Sequence, residues 1–145
     1  MTGLRLARDA YDDIVRHGYD GDEKEVCGVL AGEYGGDGED SGPESVVHEI
    51  HPVENVADRP QIRYAMDPEE QFAVIEQIED AGLDVVGFYH SHPAGGVVPS
   101  ETDRERATWT GYSYAICAFD GYPYLGSWRW TGERFERETV ALTQE

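Results

Sequence analysis

Two imidazoles and one carboxylate stand at spacings that suit a metal ion. His90 and His92 are two residues apart at the end of the apolar run Val85-Val86-Gly87-Phe88-Tyr89, and Asp103 follows eleven positions later. The run is short and rich in β-branched and aromatic residues, so it reads as a buried strand. Side chains two apart on a strand share a face, and both imidazoles therefore look the same way. Ser100-x-x-Asp103 reads as a capping box that opens a helix, which sets Asp103 in a first helical turn. The expected product is a zinc site with three protein ligands and one position open to a water whose pKa falls to about 7. The hydroxyl of Ser100, at the same helix start, can donate to a developing oxyanion.

Hydrolysis at such a site needs a carboxylate that does not bind the metal. It takes a proton from water and passes it to the leaving amine. Asp22, Glu23, Glu25, Glu101 and Glu105 are all candidates, and spacing alone does not choose among them.

The 145 residues suffice for one domain, 1–145, with its own core. Leu6, Ala10, Tyr11 and Ile14 predict a helix over 6–17 with Gly18 as its C-cap. Val26 to Gly32 reads as a strand, 34–43 as an acidic loop, and 45–52 as a second strand followed by a polar loop over 53–63. His48 and His51 lie on that second strand at a spacing that puts them on opposite faces, so they do not pair on a metal. Asp67-Pro68-Glu69-Glu70 opens a helix whose buried stripe is Phe72, Val74, Ile75 and Ile78, closed by Gly82-Leu83. After the histidine strand come a helix over 101–109 and strands over 113–119, 124–130 and 134–141. Their turns fall at Asp120-Gly121 and Thr131-Gly132. This order, α-β-β-α-β-α-β-β-β, predicts an α/β sandwich: a mixed β-sheet flanked by helices.

Charge excludes whole classes of partner. Thirty acidic residues against eleven basic ones leave a net charge of −19, and Lys24 is the only lysine. Nucleic acid and anionic membrane surfaces would both be repelled. Self-repulsion of this size is relieved by salt, which implies the cytoplasm of a halophile. No apolar stretch approaches the roughly 18 residues of a membrane span. Cys27 and Cys117 read as buried free thiols, as suits an intracellular chain. The Pro-Cys-x-x-Cys of zinc deaminases is absent.

His90-Ser91-His92-Pro93, seven positions before Ser100-x-x-Asp103, resembles the JAMM motif of the MPN+/JAB1 metalloproteases. Glu25-Val26-Cys27-Gly28-Val29-Leu30-Ala31-Gly32 is similar to that family's E-x-C-G-x-L-x-G segment, and Tyr64-Ala65-Met66-Asp67-Pro68 to its pattern before the second helix. The resemblance spans about residues 6 to 130 and implies a single-domain MPN (JAB1/MPN-like) fold. It implies one Zn2+ per chain held by His90, His92 and Asp103, with Glu25 as general acid/base and Ser100 steadying the oxyanion. The implied activity is isopeptide hydrolysis after the C-terminal Gly-Gly of ubiquitin-like modifier proteins in lysine-linked conjugates. In small archaeal members, the desampylases, the modifiers are small archaeal modifier proteins (SAMPs). Processing of a sulfur-carrier precursor, a non-catalytic MPN scaffold and a RadC-type DNA-repair relative are the competing readings; the retained ligands oppose the second and the charge opposes the third. An extended Gly-Gly tail is expected to add along a sheet edge, with loops 34–44 and 53–63 as candidates for substrate contact.

Overall fold

The computed structural model describes residues 2–35, 44–119 and 123–143. Seven strands form one mixed sheet that closes on itself in the order β1-β3-β2-β4-β5-β6-β7. The strands are β1 (Gly3–Ala7), β2 (Cys27–Glu33), β3 (Glu44–Val53), β4 (Asp84–His92), β5 (Ser113–Ala118), β6 (Tyr124–Trp130) and β7 (Phe135–Thr143). Among the described residues three helices accompany them: α1 (Arg8–Asp20), α2 (Pro68–Asp80) and α3 (Glu101–Arg106).

The sheet with its flanking helices has the predicted class, but closure was not anticipated. It depends on β1, which pairs parallel with β3 on one side and parallel with β7 on the other. Sequence assigned Leu6 to the first helix. The segment Gly-Leu-Arg-Leu-Ala instead alternates in burial, with Leu4 and Leu6 fully buried and Arg5 exposed. That is a strand's period of two. The helix starts only at Arg8 and runs past Gly18, which sits inside it against the Phe119 ring; Gly21 provides the cap.

Two of the three apolar clusters among the described residues lie on the two faces of the sheet. On one, Ala10 and Ile14 of α1 pack with Leu4, Leu6, Leu30, Val47, Val86 and Tyr89. On the other, Val74 and Ile78 of α2 pack with Val29, Ala31, Val85, Phe88 and Tyr114. The register between β2 and β4 shifts between Leu30/Gly87 and Ala31/Val85, so Val86 is a bulge residue and the parity of β4 reverses there. From Gly87 onward, Phe88, His90 and His92 share the outer face while Tyr89 turns inward. The inner Tyr89 ring lies where a Cβ on Gly28 would be, so that position admits only glycine.

Asp67 accepts from the N–H groups of Glu69 and Glu70 at the start of α2. Its end is a Schellman turn in which Leu83 N–H donates to Ile78 O at 3.1 Å and Gly82 has φ +81°. Phe72 departs from the expected stripe: it is 65% exposed, one residue off the Val74–Ile78 face. Helix α3 ends at Arg106 rather than 109, because the Tyr114 hydroxyl accepts from the N–H groups of Thr108 and Trp109. The expected turn at Thr131-Gly132 is present, with Thr131 N–H donating to Arg134 O at 2.9 Å. The turn at Asp120-Gly121 and residues 36–43 of the acidic loop lie outside the described residues.

Candidate metal centre

Three side-chain atoms converge at the C-terminal end of β4. His90 Nε2 lies 3.2 Å from His92 Nε2 and 3.1 Å from Asp103 Oδ2, and His92 Nε2 lies 3.4 Å from the same oxygen. All three side chains are buried. The strand brings the imidazoles side by side; the helix start brings the carboxylate. Asp103 does two jobs at once, because Oδ2 also accepts from Ser100 N–H at 2.8 Å while Ser100 Oγ accepts from Asp103 N–H at 3.0 Å. The capping box aims the carboxylate at the histidines.

His92 Nδ1 lies 2.8 Å from the carbonyl of Gly96. A carbonyl only accepts, so Nδ1 carries the hydrogen and the neutral ring presents the lone pair of Nε2 to the centre. Acceptors packed this closely repel one another unless a cation lies among them. A proton on His92 answers part of that demand. Burial works against its charge, but the bonds to Asp103 and Gly96 outweigh burial and raise its pKa. Burial lowers that of His90. For Asp103, burial works to raise the pKa, but the hydrogen bonds from both histidines hold it well below the usual carboxylate range.

A zinc ion would answer that demand. Tetrahedral coordination at the usual Zn–N and Zn–O lengths of about 2.0–2.1 Å places ligand atoms about 3.3 Å apart. The observed triangle, 3.1 to 3.4 Å on its edges, fits that requirement.

Of the five acids that spacing left in contention, Asp22, Glu23, Glu101 and Glu105 are exposed, and Glu25, the one the resemblance named, alone is buried. Its carboxylate lies within 4.8 Å of the ligand atoms of His90 and His92, farther out than Asp103. Burial, ahead of the opposing influence of His92, pushes its carboxyl up to about 7. Glu25 Oε1 and His90 Nδ1 have no hydrogen-bond partner among the described residues. Glu25 sits just before β2, and its backbone is held at both ends: its N–H donates to Pro60 O at 2.7 Å, and its carbonyl accepts from Asn55 Nδ2 at 2.9 Å.

Sequence reasoning missed the residues that frame this centre. Asn55, Ser91 and Gly96 act through hydrogen bonds that have no periodic signature. Tyr64 stacks on the His90 ring at 4.3 Å between centroids. Beside Asp103 a cavity of about 170 Å³ opens, walled by Tyr64, Met66, Phe88, Trp109 and Tyr114. The described residues on either side of 36–43 lie at the far end of the barrel, since Gly32 pairs with Asp84 and Glu44 with Gly3. The 53–63 loop starts at the near end, where Val53 pairs with Cys27 and Cys27 with His90. Cys27 and Cys117 are buried free thiols, and burial pushes both up to about 12.

Residues 7–131 match the family model described as prokaryotic homologs of the JAB domain. The chain belongs to that family. This JAB-domain chain is 48% identical over 143 residues to the desampylase of Haloferax volcanii, covering 96% of each. It is 35% identical over 113 residues to the CysO-cysteine peptidase of Mycobacterium tuberculosis, covering 78% of this chain and 71% of that one. The solution structure of a Desulfitobacterium hafniense protein superposes with a TM-score of 0.85 at 25% identity, covering 98% of this chain and 94% of that one. The JAB-domain chain is accordingly a hydrolase. Among the described residues, no helix is long and apolar enough to cross a membrane.

Proposed function

We propose that this JAB-domain hydrolase is a zinc-dependent isopeptidase that releases ubiquitin-like modifiers, SAMPs in particular, from lysines by cutting after their C-terminal Gly-Gly. The observation that carries the reading is the triangle of His90 Nε2, His92 Nε2 and Asp103 Oδ2 with the buried Glu25 carboxylate beside it. His90, His92 and Asp103 would hold the ion. When bound, zinc supplies a Lewis acid that polarises a carbonyl and acidifies water. Glu25, raised to about 7 by burial, is suited both to accept a proton from water and to return it to the leaving ε-amine. The Ser100 hydroxyl, whose oxygen accepts from Asp103 N–H, keeps its own hydrogen free and would donate to the carbonyl oxygen as that atom gains charge. The Tyr64 ring covers His90 and keeps bulk water from that side.

The closed sheet offers no free edge among the described strands, so the modifier's tail would not extend the barrel itself. The Asn55–Met66 bridge makes a short ribbon outside the barrel, and the adjoining cavity suits an extended chain without bulky side chains. The likeness to the Haloferax desampylase supports SAMP conjugates as substrates. The likeness to the CysO-cysteine peptidase supports a second reading, processing of a sulfur-carrier modifier at the same site. Cleavage of a modifier–lysine conjugate beside a modifier with a linear C-terminal extension separates the two. Either activity that survives complete metal removal refutes zinc dependence.

A further inference from the structure

The loop after His92 contains Gly95 and Gly96, with Gly95 at φ +111°, and two adjacent glycines hold no conformation by themselves. It is nevertheless pinned from β6. Val97 is buried against Ile116, Ala118 and Trp128. Its carbonyl accepts from Trp128 Nε1 at 2.9 Å. Gly126 backs the Val97 side chain so closely that a methyl group there would press on it at 3.0 Å. One residue earlier, the Gly96 carbonyl meets His92 Nδ1 at 2.8 Å. The carbonyl oriented by the indole and the carbonyl that orients the imidazole therefore belong to consecutive residues.

We propose that Trp128 is a positioning residue for His92: its indole N–H, bonded to the Val97 carbonyl, holds the Gly96 carbonyl where it fixes the tautomer and ring orientation of His92. The inference rests on the reading of His92 as a metal ligand. Trp128 does not reach the reacting groups; it acts through the glycine loop. Outer hydrogen-bond partners of ligating histidines fix ring orientation and ligand basicity, and their loss weakens metal affinity about 10- to 100-fold.

Trp128→Phe keeps the ring and removes the donor. Gly126→Ala presses on the Val97 side chain from the same strand and leaves the indole intact, so it tests the pinning of the loop should Trp128→Phe not fold. Zinc affinity is measured by competition with a chromophoric chelator. The His92 tautomer is measured in the metal-free protein, at a pH above the His92 pKa where the ring is neutral, by 15N–1H correlation of the imidazole. The expected result is about a tenfold weaker zinc affinity and loss of the pure Nδ1–H tautomer in whichever variant folds. A folded variant with the tautomer unchanged and zinc affinity within about twofold of the parent overturns the proposal. His90→Ala separates the two claims. If the parent binds zinc and His90→Ala does not, an unaffected Trp128→Phe refutes the positioning role alone; a parent that binds no zinc refutes the ligand reading and this inference with it.

Discussion

The hydroxyl of Ser91 accepts a hydrogen bond from the backbone N–H of Val26 at 2.9 Å, and Ser91 N–H donates to Val26 O at 3.0 Å. Ser91 thus sits between the two histidines in sequence but faces away from them, clamping the residue next to Glu25 onto β4. Removing the hydroxyl leaves a largely buried N–H without a partner. Ser91→Ala should lose about 1–3 kcal/mol of stability. It should also lower kcat while zinc stays bound, as seen by metal analysis beside turnover. Unchanged turnover would show that Glu25 keeps its place without the clamp.

Glu25→Gln should retain zinc and lose about 100- to 10,000-fold in kcat. The same variant has a second, opposite effect. The folded Glu25 carboxyl is raised to about 7, so the stability it contributes is fully present below its unfolded pKa and is lost as pH rises through about 7. At pH 8 the metal-free variant should therefore be more stable than the parent by about 1–3 kcal/mol, with little difference at pH 4. Denaturant midpoints of the two proteins at both values decide it.

Metal binding should be weaker in acid. The pKa of His92 is raised in the metal-free protein, with burial opposing and the bonds to Asp103 and Gly96 prevailing. An entering ion must displace that proton. Below the pKa of His92, affinity should fall by about tenfold per pH unit, and above it the dependence should flatten. Chelator competition across a pH series measures the slope; a flat profile throughout would remove His92 from the ligand set.

The end of the barrel away from the histidines is fastened by a buried ion pair. Arg129 Nε meets Glu138 Oε1 at 2.8 Å, and the guanidinium also donates to the carbonyls of Gly3, Gly35 and Gly111. Ser113 and Ser127 donate to the other carboxylate oxygen. Arg129→Ala strands that carboxylate and should destabilise the protein by about 3–5 kcal/mol. Zinc affinity of the folded fraction should be unchanged. Parallel unfolding and metal titrations distinguish this scaffold role from one at the centre.

Salt should stabilise the fold. With a net charge of −19, repulsion acts over about 10 Å at 0.1 M salt and about 3 Å at 1 M. The thermal midpoint should rise by about 5 °C or more from dilute buffer to molar KCl. A midpoint indifferent to salt would detach the acidic composition from a saline cytoplasm.

Much of the centre was legible because it is local. His90 and His92 follow from strand period, and Asp103 from a capping box four residues long; neither needs knowledge of the rest of the chain. The stripe of α2 and the meander of β5 to β7 are periodic in the same way, although Phe72 shows that an apolar residue one step off the stripe is left in solvent.

What the amino-acid order determined alone is a set of groups whose types and spacing suit an ion, and a net charge of −19. Resemblance pointed to Glu25 but spacing did not choose it, and only the tertiary structure gives the physical reason why this acid stands beside the histidines. Five carboxylates were equivalent along the chain, and a buried position held by Asn55, Pro60 and Ser91 separates Glu25 from the rest. Closure of the barrel was decided there too. The five residues of β1 are too few for a convincing period and run straight into a helix, and their pairing partners lie about 40 and 136 positions away. Contacts that distant leave no local trace, because hydrogen bonds between strands depend on where the backbones meet and hardly on which side chains they carry.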